Sequence, residues 1–194
     1  MECPIDNVNP ARPQWGLSAA DMVFVEEVEA GLTRIAAVYN STLPNKVGPV
    51  RSARISDLEI MEQFGTPAFA FSGAQTKFLP LIDQANLINA SHGLNGKFYT
   101  RQTDKNAPHN LTVDLGGIVA SLTGISGAKD MGWTFSDIAA TGGTSTNSFS
   151  AKFFNNEVAV TEREAYDKDT TFWSQSRQVE LTEEERAYIL AKDS

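Results

Sequence analysis

The stretch DMVFVEEVEAGLTRIAAVYN holds two runs rich in β-branched and aromatic residues, about 22–28 and 32–39, on either side of Ala30-Gly31. Such runs around a glycine able to take positive φ predict a β-hairpin. After the loop STLPNKVGP the period changes. From Ser52, Ile55, Leu58, Met61 and Phe64 recur at helical spacing and Gly65 ends the run, which predicts a helix with Arg51 and Arg54 at its first turn. TPAFAFSG, apolar between Pro67 and Gly73, and ANLINA read as short buried strands. AQTKFLPLIDQ reads as a short helix limited by Pro80.

The polar stretch SHGLNGKFYTRQTDKNAPHN predicts a long loop, and loops of that length in compact domains are often functional. LTVDLGGIVASLTG predicts a helix weakened by Gly116 and Gly117. Trp133 and Phe135 are expected to pack on the core. STNSFSAKFFNNEVAV predicts one or two strands with a turn at Asn155-Asn156, and LTEEERAYILAKD a helix with Thr182 and Glu185 as its capping box. The mixture predicts an α/β fold: a mixed, largely antiparallel sheet packed with helices in a layered sandwich, not a Rossmann fold. Residues 1–155 are expected to form one domain and 156–194 an acidic C-terminal appendage.

Composition narrows the function. The 194 residues carry a net charge of −8, with 41% hydrophobic and 21% charged residues, as in a self-sufficient globular domain. The single cysteine, Cys3, excludes an internal disulfide, and with two histidines it argues against structural zinc. Residues 111–194 hold seven basic and thirteen acidic side chains, whereas five of the eight arginines lie before residue 102. An acidic chain lacks the basic face that nucleic-acid binding needs. A local arginine cluster within it points to a small anionic ligand or to internal ion pairs. No apolar run reaches membrane-spanning length, and MECPIDNV shows no signal-peptide pattern.

Cations at a helix start are mildly penalised by the peptide dipoles. Arg51 and Arg54 in GPVRSAR therefore call for a negative partner, either a bound anion held with the free N–H groups or an internal acid such as Asp57, Glu26 or Glu29. Arg34 on the return strand is placed to meet one of the hairpin acids. In RQTDKNAPHN, His109 is a candidate general acid or base, histidine being the side chain type suited to that work near neutral pH, and Asn110 is a candidate cap for the next helix. His92 has no supporting pattern. No nucleophile elbow, phosphate-binding loop or dinucleotide fingerprint is present, so no cofactor is expected.

Taken in order, IDN, ARPQWGL, ADMVFVEEVEAGLTR, GPVRSAR and APHN resemble the N-terminal domain of the YerB-like bacterial lipoprotein family over roughly residues 4–155. The resemblance implies an α/β domain on a lipidated protein at the outer face of the cytoplasmic membrane, with a smaller second domain and no assigned activity. Relative to that family the first strand is expected to be cut short at Met1, and the signal sequence and lipid-attachment cysteine are not recognised in these residues. The shared blocks mark Asp6, Asn7, Arg12, Gln14, Arg34, Arg51, Arg54, Arg101 and Asn110 as candidate ligand-binding residues, with His109 and Glu29 as candidate acid/base groups. The leading expectation is a cleft binding an anionic envelope component or a partner protein. The rivals are a hydrolase of an envelope phosphodiester or glycan and a purely structural domain with internally paired arginines.

Overall fold

The computed structural model describes residues 1–28, 32–133, Gly142 and the backbone of the strands at 148–153 and 156–161. The hairpin predicted around residue 30 is present. β2 (Met22–Glu27) runs antiparallel to β3 (Thr33–Val38), with Met22 opposite Val38 and Glu26 opposite Arg34. β1 (Glu2–Asp6) pairs antiparallel with β3 on its other side, setting Asp6 opposite Arg34. The short strands β4 (Ala68–Phe69) and β5 (Ile88–Asn89) add in parallel, giving the order β2-β3-β1-β4-β5. A mixed, mostly antiparallel sheet with helices and no closed barrel is the architecture expected.

Side chains alternate across a strand, so this register sorts the sheet into two faces. Cys3, Ile5, Ile35 and Ala37 enter the main core with Tyr39, Val47, Val113, Leu115 and Ile118. The opposite face carries Glu2, Asp6, Arg34, Phe24 and Glu26 and is covered by α1 (Ile55–Met61) and the turn after it, where Phe64 meets Phe24 edge to face at 6.4 Å. A second apolar cluster joins Met61, Phe69, Phe71, Phe78 and Ile82, the last from α2 (Leu79–Gln84).

Residues 91–110 are not one loop. α3 (His92–Asn95), a 3-10 turn at Gly96–Phe98 and β6 (Tyr99–Arg101) precede the true loop of 102–110. β6 forms because β7 (Leu111–Val113) supplies an antiparallel partner and because Tyr99 buries its ring while its hydroxyl donates to Ala90 O at 2.7 Å. The helix expected across 111–124 is confined to α4 (Leu115–Ser121). Asp114 starts it by accepting the Gly117 N–H at 2.9 Å, so Asn110 is not its cap. α1 begins at Ile55, so Arg51 and Arg54 precede the helix and do not lie in its first turn. Trp133 is 55% exposed and does not join the core. β8 (Ser148–Phe153) and β9 (Asn156–Thr161) form an antiparallel hairpin. Phe135, the Ala30-Gly31 turn and the C-terminal helix expectation lie outside the described residues.

Candidate functional site

The segment 48–51 crosses the end of β1. Asp6 N donates to Pro49 O at 2.9 Å, and Arg51 N donates to Pro4 O at 2.8 Å. Gly48 permits this close lie, since a Cβ there would stand 2.5 Å from Leu111 O and its φ is +154°. The crossing sets Arg51 Nε 3.3 Å from Asp6 Oδ2. From the loop before β7, His109 Nδ1 reaches the same oxygen at 2.7 Å. One buried carboxylate oxygen therefore serves a guanidinium and an imidazole, whose side chains stay 27% and 24% exposed. A carboxylate only accepts, so Nδ1 carries the proton and Nε2 of the neutral ring is an acceptor. Among the described residues, Asp6 is the one acid within ion-pair distance of Arg51.

Asn7, Arg12 and Gln14 buttress this centre. Gln14 Nε2 donates to Asp6 O at 3.1 Å and to Asn7 Oδ1 at 3.2 Å, while Arg12 Nη2 donates to the same Asn7 oxygen at 3.0 Å. Asn7 Nδ2 in turn donates to Thr33 Oγ1 at 2.9 Å. Sequence reasoning missed Lys105. Its ammonium donates to Ala11 O at 2.6 Å and to Pro13 O, and sits 4.0 Å from the Trp15 ring centroid. It thereby fastens the loop bearing His109 to the segment bearing Arg12 and Gln14; its place four residues before His109 was the available clue. Arg101 and Asn110 close the base of that loop. Arg101 Nη1 donates to Asn110 Oδ1 at 2.8 Å, and Asn110 Nδ2 donates to Gln102 O at 2.8 Å.

Arg34 is the cross-strand neighbour of Asp6 on the same sheet face. It is buried on the sheet face beneath α1 and donates from Nη1 to Ser52 O at 2.8 Å. Burial, with the Arg54 and Arg51 charges, lowers its pKa, and Asp57 and Glu26 act against that fall. Asp57 Oδ2 accepts the Arg54 N–H at 2.6 Å, and Arg54 Nη1 donates to Ala53 O. Asp57, one of the internal acids named as alternatives to a bound anion, thus occupies the helix start. Ser56 donates to Glu26. Glu2 is fully buried with neither carboxylate oxygen hydrogen-bonded. Burial pushes the Glu2 pKa well up, and Asp57 and Glu26 push it further; burial and Glu26 raise Asp57 likewise. Neither Glu2 nor Asp57 was singled out as a buried acid by the sequence, where acids in a strand and on a helix read as exposed.

Glu29, the other candidate acid/base group, lies outside the described residues; the carboxylate that His109 meets is Asp6. No group of three His, Cys, Asp or Glu is arranged for a metal ion among the described residues, and no helix there is long and apolar enough to cross a membrane. A cavity of about 270 Å³ opens between the β6–β7 sheet and the loop at Asn45-Lys46, and none of the expected site residues lines it.

Residues 1–127 match the family model described as "Protein of unknown function (DUF3048) N-terminal domain". A 50-residue stretch is 50% identical to "Putative lipoprotein YerB" of Bacillus subtilis (strain 168), covering 26% of this chain and 15% of that protein. The crystal structure of the Bacillus subtilis YerB protein superposes with a TM-score of 0.55 at 27% identity, over 62% of this chain and 41% of that one. The chain thus matches less than half the length of each of these relatives. The chain belongs to the DUF3048 family through its N-terminal domain.

Proposed function

We propose that this is a binding domain of the bacterial cell envelope, carried on a lipid-anchored protein outside the cytoplasmic membrane, and that Arg51 and His109 receive an anionic group of its ligand. The lipoprotein description of the Bacillus subtilis relative supports the location. The observation that carries the binding reading is the shared Asp6 oxygen. It turns Arg51 Nε and His109 Nδ1 inward and leaves the terminal guanidinium nitrogens, in a partly exposed side chain, without a described partner. Arginine forks suit carboxylate and phosphate oxygens. Calorimetric titration with inorganic phosphate and with poly(glycerol phosphate) tests this. Arg51→Ala is expected to keep the fold and weaken binding about ten-fold, and Arg51→Lys to lose affinity too, because a point charge does not replace the fork. An Arg51→Ala protein that unfolds assigns Arg51 to bracing β1 instead.

One contact favours a second reading, hydrolysis of an envelope phosphodiester or glycan. The imidazole of His109 is oriented by a carboxylate at 2.7 Å, the arrangement that lets Nε2 take a proton from water, with Arg51 beside it to meet developing negative charge. Turnover of bis(p-nitrophenyl) phosphate that vanishes in His109→Ala supports it. Rates equal to buffer alone remove it and leave the binding reading standing.

A further inference from the structure

We infer that the cavity beside β6 and β7 is a second site, one that holds a hydroxyl-rich sugar ring. Its lining, Asn45, Lys46, Phe98, Thr100, Gln102, Thr112 and Asp114, combines one aromatic wall with hydrogen-bonding groups of both kinds. A volume of about 270 Å³ lies just below the usual range of ligand pockets and suits a single ring.

Internal bonds hold several of these groups in place. Gln102 Nε2 donates to Thr112 Oγ1 at 2.8 Å, which orients the amide and leaves Oε1 as an acceptor. Thr112 Oγ1 donates to Thr100 O at 3.1 Å. Asp114 spends Oδ1 on the Gly117 N–H at 2.9 Å and keeps Oδ2. Lys46 is steadied over the Trp15 ring at 4.7 Å. No hydrogen bond among the described residues engages the Asn45 amide or the Thr100 hydroxyl. Two fixed acceptors thus stand with three donors, from Asn45, Lys46 and Thr100, around a half-buried phenyl ring. Adjacent hydroxyls on a sugar each donate and accept, and so use both kinds at once. A bare anion would leave the acceptors opposed, and an apolar ligand would leave the whole polar lining unmet. Because Gln102 and Asp114 are held beforehand, little ordering remains to be done on binding.

The test is an NMR titration of the full chain with N,N′,N″-triacetylchitotriose, a neutral glycan. Saturable shifts confined to residues 43–46, 98–102 and 112–114 are expected. Asn45→Ala and Thr100→Val, both on exposed residues and so compatible with an unchanged spectrum, are each expected to weaken binding about ten-fold. Absence of saturable shifts, shifts indifferent to both substitutions, or shifts at these residues with inorganic phosphate alone would each overturn the assignment. None of these outcomes bears on Arg51.

Discussion

His109 and Asp6, separated by 103 positions, meet at 2.7 Å, and the same Asp6 oxygen lies 3.3 Å from Arg51. Two backbone arrangements make the meeting possible: the segment 48–51 crossing β1, and the loop 102–110 clamped onto residues 11–15. The carboxylate is the hinge of the proposed site, because it fixes which imidazole nitrogen is protonated and which side of the guanidinium turns inward.

That dependence predicts the behaviour of Asp6→Asn. An amide can donate where the carboxylate only accepted, so the His109 proton is expected to move from Nδ1 to Nε2. Nitrogen-15 shifts of the imidazole read this directly. Arg51 also loses its acid, and a stability loss of about 1–3 kcal/mol is expected for a largely buried charged hydrogen-bonding group left short of its partner. An unchanged tautomer in Asp6→Asn would show that another group orients the ring.

Arg34 bears on stability. It supplies positive charge within reach of Asp57 and Glu26 in a layer sealed by α1. Arg34→Ala is expected to cost about 3–5 kcal/mol at neutral pH, the usual result of stripping one partner from a buried charge group. The loss should shrink in mild acid, where Asp57, its pKa raised by burial, gives up its charge by taking a proton. Urea unfolding of both proteins at the two pH values makes the comparison; an equal loss at both would mean that Arg34 matters for packing and not for charge.

The parts of this fold legible in the sequence are those whose cause is local. The β2–β3 hairpin announces itself through β-branched runs, and α1 through Ile55, Leu58 and Met61. β6 did not, because Tyr99 is strand only by virtue of β7 and of Ala90 O, both remote from it in the chain. The same division holds at the site. Polar blocks identified Asp6, Arg51 and His109 among a set, but not that Asp6 meets the imidazole. Asn110 resembled a helix cap because asparagine often is one, whereas its amide bonds are spent within its own loop. Composition says where charge is, and only the chain path says which charges share an oxygen.

Lys105 offers a way to disturb His109 without touching it. Its ammonium bonds two carbonyls of the segment 11–13 and rests on Trp15, an interaction of order 1 kcal/mol at a partly exposed site. Lys105→Ala is expected to lower the midpoint of unfolding only slightly, while amide exchange in residues 102–110 accelerates and anion affinity falls by a factor of a few. Exchange rates indistinguishable from the parent protein would mean that the Asn110 bonds alone hold the loop.

Glu2 predicts an inverted response to acid. Its carboxyl is fully buried and unbonded, next to Asp57 and Glu26, and its pKa is raised by burial first and by those acids second, with the Met1 ammonium pulling the other way. A group that holds its proton more tightly folded than unfolded stabilises the fold fully below the ordinary carboxyl range. That contribution is lost as pH climbs from the ordinary range through the raised folded value. Asp57 shifts in the same direction, so both groups favour the folded state more at mildly acidic than at neutral pH. Glu2→Gln removes one of the two titrations. Its melting temperature is expected to vary less between pH 5 and pH 8 than that of the parent, with the gain over the parent largest at neutral pH. If the two curves run parallel, Glu2 is not titrating across this window, and the burden of the buried layer rests on Asp57 alone.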